Sequence, residues 1–162
     1  IGASENHLGE VGGNATIVSV TPVISTTIYA ANDNIGGKQT ITNAMRVSGG
    51  GGYLTSIVIE DKDSEGAGME GYLFDSDPAA GTYTDNAAMV IGTTDIAKSL
   101  GFVSVSAGDY KTVGAIKLAE VDVRKLVKAS GSANLFIAWR VTGTPTFTAS
   151  TDLTFRYKYD RY

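Results

Sequence analysis

Along this chain apolar side chains recur at every second position in short runs, separated by glycine, proline, asparagine and serine. A period of two is the mark of a half-buried β-strand. The first run begins at Thr16. Ile17, Val18 and Val20 precede Pro22, while Val23, Ile24, Ile28 and Tyr29 follow it, which predicts two short strands or one strand broken at the proline. Residues 38–47 alternate again and lead into Ser48 and four consecutive glycines, a pattern for a strand followed by a wide, flexible loop. Residues 53–60 and 71–74 predict two strands of a hairpin, with the charged stretch 61–70 as its long loop.

Further on, Thr93 or Thr94 is placed to cap a helix of two turns at most, running through Leu100 and stopped by Gly101. Strands are expected at 102–106, 112–118, 135–141 and 153–159. Residues 120–129 carry Val121, Val123 and Val127 at strand spacing against the basic side chains of Arg124, Lys125 and Lys128, and the strand reading is preferred. In the last run Phe155, Tyr157 and Tyr159 share one face, opposite Arg156, Lys158 and Asp160, so the aromatic face is assigned to the core together with Leu153. Trp139 is expected to be half in the core, with Arg140 pointing away.

Eight or nine short strands without βαβ alternation predict an all-β fold: an antiparallel two-sheet sandwich, a jelly roll, with at most one short helix. At 162 residues the chain has the length of one domain, and no internal repeat divides it. Residues 1–14 hold four glycines and no periodic apolar face, so they are read as an extended N-terminal arm that orders by lying on something else. Residues 15–162 form the single β-sandwich domain. The arm's candidate partner-binding residues are Gly2, Glu5, Asn6, His7, Leu8, Glu10, Gly12 and Gly13.

Composition narrows the chemistry. With no cysteine and one histidine, His7, disulfide frameworks, Cys/His zinc sites and thiol nucleophiles are excluded. Thirteen Lys and Arg against seventeen Asp and Glu give a net charge of −4, opposite in sign to a nucleic-acid footprint. The longest apolar-leaning stretch, 15–28, is interrupted by Thr, Ser and Pro22, so no membrane span is expected. The first basic residue is Lys38, so no secretory leader is expected, and the absence of cysteine suits synthesis in a reducing cytoplasm.

Several short motifs imitate known sites. Gly66-Ala67-Gly68-Met69-Glu70-Gly71 fits the dinucleotide fingerprint, but a strand rather than a helix follows it, so a glycine-rich loop is preferred. Asp61-Lys62-Asp63-Ser64-Glu65-Gly66 matches the first half of an EF-hand loop, yet Tyr72 stands where the bidentate Glu belongs. A solvated acidic turn is the expectation there, with a weak cation site shared with Asp75 or Asp77 as the alternative. His7 lies in the arm and no G-x-S-x-G elbow is present, which argues against a serine hydrolase. A carboxylate pair for glycoside hydrolysis would have to come from Asp75, Asp77 or Glu60. No catalytic residue, metal ligand or cofactor is assigned.

Several stretches together carry a resemblance: the arm, Asn34-Ile35-Gly36-Gly37-Lys38, Val58-Ile59-Glu60-Asp61-Lys62, Leu73-Phe74-Asp75-Ser76-Asp77-Pro78, Asp85-Asn86-Ala87-Ala88, Gly143-Thr144-Pro145 and Asp152-Leu153-Thr154-Phe155-Arg156. Over almost its whole length the chain resembles the head decoration or cement proteins of tailed bacteriophages, small structural proteins encoded near the major capsid gene. The resemblance implies a jelly-roll protomer that forms a homotrimer on the outside of the expanded capsid and fastens neighbouring major capsid proteins, without catalysis. The rival expectation is a carbohydrate- or receptor-binding β-sandwich of a phage tail fibre, stacking sugars on Tyr53, Tyr72, Tyr83 or Trp139. A small hydrolase on the same fold ranks third.

Overall fold

The computed structural model describes residues 14–162. The candidate arm residues Gly2, Glu5, Asn6, His7, Leu8, Glu10, Gly12 and Gly13 lie outside the described residues. Asn14, counted with the arm on composition, is the first residue of a strand.

Two antiparallel sheets pack face to face. One orders β1 (Asn14–Val20), β9 (Leu153–Arg161), β3 (Gly51–Asp61), β7 (Ile116–Lys128) and β6 (Tyr110–Val113). The other orders β2 (Asn34–Ile41), β8 (Leu135–Val141), β4 (Met69–Phe74) and β5 (Ser99–Val105). Among the described residues only β4–β5 and β6–β7 pair as sequence neighbours; every other connection between the described strands crosses from one sheet to the other. That wrapping, with β6 added as a short hairpin arm to β7, is a jelly roll.

The expected hairpin between 53–60 and 71–74 is therefore wrong. β3 pairs with β9 and β7, β4 pairs with β8 and β5, and the charged link between them bridges the two layers. Alternation assigns a face to each strand and leaves its partner open, and a long link spans the sandwich as readily as it closes a hairpin. Other boundaries moved for local reasons. After β1, residues 21–33 form no strand, although Ile24 and Tyr29 are buried and their amides bond to the carbonyls of Ser150 and Pro145. β2 starts before Lys38 and ends at Ile41, leaving 42–50 as a compact turn.

The glycine run is less open than expected, because Gly51 and Gly52 belong to β3. A Cβ on Gly52 would lie 2.4 Å from the Asp160 carbonyl oxygen, so the close approach of β9 requires glycine there. The expected strand 112–118 breaks at Gly114, where φ is +65° and the chain reverses from β6 into β7. The 120–129 segment is strand as preferred, up to Lys128.

The expected helix shrinks to α1 (Thr93–Ile96), with Gly92 at its N-cap and no side-chain cap. Ser99, Leu100 and Gly101 join β5 instead, because pairing with β4 satisfies backbone groups that another helical turn would leave at the surface. Asp95, inside α1, is fully buried. Its carboxylate accepts hydrogen bonds from the amides of Ala79, Ala80 and Gly81 at 3.0, 2.8 and 3.0 Å and from the Tyr83 hydroxyl at 2.9 Å, with the Lys98 ammonium at 3.3 Å. One side chain thus pins the long β4–β5 connection.

The core lies between the sheets. Trp139 is 0% exposed rather than half-buried, stacked on Phe155 with 5.2 Å between centroids. Its indole N–H donates to the Tyr157 hydroxyl at 3.0 Å, which donates to Gln39 Oε1 at 2.9 Å, so a polar relay links the two sheets inside the core. The Trp139 ring packs over Gly71, where a Cβ would come within 2.9 Å of indole carbons. Phe155, Tyr157, Tyr159 and Leu153 are buried, as their shared face predicts.

Candidate functional site

The outer face of the five-stranded sheet carries the most structured surface feature. Leu54 and Ile57 both point into the core although they are three residues apart, so β3 accommodates one extra residue, Thr55, between them. Its hydroxyl donates to the Lys158 carbonyl at 3.0 Å, tying the bulge to β9. On the other flank Val123 and Arg124 of β7 together face Thr55, and Arg124 takes a left-handed φ of 47°. Adjacent bulges bend the sheet and re-aim side chains.

The result is an open basin of about 470 Å³ lined by Tyr53, Thr55, Ser56, Asp122, Arg124 and Asp160. Above the bulge, Asp160, Tyr53 and Leu126 stand in one row across β9, β3 and β7; below it stand Lys158, Ser56 and Asp122. Tyr162 meets Tyr53 edge to face, with centroids 5.9 Å apart. Burial, its bond to the Tyr53 hydroxyl and the charge of Asp160 hold the Tyr162 hydroxyl above its usual pKa. Farther along the face, Glu120 binds the Lys158 ammonium at 2.6 Å and Glu60 binds Arg156 at 3.0 Å. Its pair with Lys158 lowers the Glu120 pKa.

Compared with family models, curated proteins and solved structures, the chain matches none.

The other aromatic residues weighed for sugar stacking do not join the basin. Trp139 is sealed in the core. The Tyr83 hydroxyl is spent on Asp95, and its ring meets Phe74 edge-on at 6.1 Å. Tyr72 lies on the outer face of the four-stranded sheet, beside Phe102 at 6.0 Å and under the Arg140 guanidinium at 5.5 Å. Arg140 also binds Glu70 at 2.6 Å, and hydrogen bonds from Arg140 and then Tyr72 lower the Glu70 pKa.

The acidic loop folds inward. Asp61 is buried and accepts the amides of Gly66 at 2.6 Å and Asp63 at 3.0 Å, while Asp63 and Glu65 accept from Thr148 and Thr146. Its carboxylates thus hold backbone rather than converge on a centre. Asp75 accepts from Ser76, and Asp77 pairs with Lys38. Glu60, on the other sheet, shares no cleft with them. Gly66 and Gly68 of the fingerprint lead into β4, and Gly71 lies within it. Among the described residues no three His, Cys, Asp or Glu side chains come together as a metal site.

Sequence reading named Tyr53 and missed the rest of the basin. A signal was present in β3: the three-residue step from Leu54 to Ile57 breaks strict alternation and marks a bulge.

Proposed function

We propose that this protein is a virion structural protein, a decoration or cement protein of a tailed-bacteriophage head. In this reading it assembles as a homotrimer on the outer surface of the expanded capsid, tightens contacts between neighbouring major capsid proteins and catalyses nothing. Beyond the resemblance, one observation carries the reading: among the described residues β1 is an unguarded sheet edge. Its seven residues, Asn-Ala-Thr-Ile-Val-Ser-Val, contain no charge and no proline, and they pair with β9 in unbroken register. Among the described residues, no backbone group of β1 bonds anywhere but to β9.

Edges of this kind recruit another chain unless they are protected. The remaining edges are protected. β2 has a register shift and Lys38, β6 is four residues long and carries Lys111, and β5 has Gly101 at φ +100° opposite a register break. Ile17, 59% exposed on β1, adds an apolar contact beside the free edge. A strand that offers its backbone this way suits a subunit built to be covered by a neighbour.

The test is a double variant, Ile17→Glu with Ser19→Glu. These side chains face Lys158 and Arg156 across the β1–β9 ladder, so the fold keeps its stability while the edge acquires charge. Unaltered protein is expected to saturate expanded, undecorated heads in fixed ratio, and the variant to melt normally yet wash off. A variant that saturates the heads as well as the parent would sink the assignment of β1 as the contact, and heads that bind neither protein would sink the cement reading.

A further inference from the structure

We propose that the basin on the outer face of the five-stranded sheet is a saccharide-binding site, with Tyr53 as its stacking platform and Asp122, Arg124 and Asp160 as its hydrogen-bonding rim. Nothing in the decoration reading requires such a site. Among the described residues, the side chains of Asp122, Arg124 and Asp160 make no ion pair or hydrogen bond, although those of Glu60, Glu70 and Glu120 on the outer faces of the sheets are each paired. Two acceptor-only carboxylates and one donor-only guanidinium therefore line a single concavity without being satisfied by each other.

A ligand that fits has to donate and accept at neighbouring positions and also present an apolar face. An apolar ligand would strip water from three charges and replace none of their hydrogen bonds. A simple cation would meet Arg124, and a simple anion would meet Asp122 and Asp160. A pyranose meets all three conditions: its hydroxyls donate to the carboxylates and accept from the guanidinium, and its C–H face lies on the half-exposed Tyr53 ring. The basin's volume, about 470 Å³, falls within the range of small-molecule sites. Its shape is held by backbone: Thr55 is anchored to Lys158, and Arg124 is fixed by the bulge in a conformation that non-glycine residues rarely adopt.

The experiment is chemical-shift mapping by heteronuclear NMR with three probes: lactose, maltotriose and N,N′-diacetylchitobiose. At least one is expected to give saturable shifts confined to the amides around Tyr53, Thr55, Ser56, Asp122, Arg124 and Asp160. Tyr53→Ala should weaken that binding by about tenfold or more, the loss of a central aromatic contact, while Tyr53→Phe keeps it within about twofold. Asp122→Asn combined with Asp160→Asn, isosteric changes at exposed positions, should weaken it without lowering the melting temperature. Absence of shifts with all three sugars, shifts centred elsewhere, or binding indifferent to Tyr53→Ala would each overturn the proposal. Asp160 neighbours Ala15 of β1, so the two readings are separated by the measurement: the sugar titration is made on the free protein and head binding on undecorated heads, and a failure of either is read without the other.

Discussion

Asp95 shows how one side chain organises a stretch with little secondary structure of its own. Burial alone would raise its pKa, but the hydrogen bonds from Tyr83, Ala80, Ala79 and Lys98 outweigh that and lower it from 3.8 to about 2. A carboxyl with a depressed folded pKa stabilises the protein above its unfolded value and loses that contribution as pH falls through the folded one. The melting temperature should therefore drop as pH is lowered from about 4 to about 2. In Asp95→Asn it should start lower, by about 2 kcal/mol of stability, and fall less steeply over the same interval, both readable from thermal melts across pH. The sequence offered Asp95 as a first-turn acid of a helix. Its role as an anchor was hidden because its partners at 79–83 are brought to it by the fold. Trp139 is similar: alternation put it on the inner face, but how deeply it is buried depends on Phe155 and Tyr157 of the opposite sheet.

At the scale of elements, the runs that read most clearly are those with one dry and one wet face. β8 falls on the expected 135–141, and β9 starts at the expected Leu153. Where the reading failed, a non-local partner decided the outcome: Ser99 to Gly101 preferred β4 to a helix, and Gly51 and Gly52 preferred β7 and β9 to a loop. The facing bulges of β3 and β7 are a third kind of case, half legible in the Leu54–Ile57 spacing and invisible on β7, whose inward and outward residues keep step. Arg124 there occupies backbone space that glycine enters without cost. Arg124→Gly is accordingly expected to raise stability by about 1 kcal/mol in chemical denaturation. At the same time it should weaken saccharide binding, a gain and a loss that a purely structural bulge would not combine.

For the whole molecule, the fold class followed from strand count, length and the absence of helical periodicity, whereas the wrapping of strands between layers did not. Pairing partners such as β1 with β9, at opposite ends of the sequence, leave no local trace in either segment. The quaternary expectation belongs to this scale. If the free edge of β1 meets another copy, light scattering of the purified protein should give three times the 16.9 kDa chain mass. The Ile17→Glu, Ser19→Glu variant should then give the mass of a single chain. A single-chain mass for the parent that becomes trimeric only on heads would place assembly on the lattice.

The β1–β9 ladder has a mechanical side. It runs in register from Asn14 opposite Arg161 to Val20 opposite Phe155, so whatever precedes Asn14 is attached to the end of a strand clamped along its full length. Tension drawn along that strand would load all of its rungs at once, in shear, and they would have to fail together. Tension drawn across the sheet would open them one after another at much lower force. A subunit tethered through this end would therefore hold firmly against stretching within the surface it sits on and let go readily when lifted away from it.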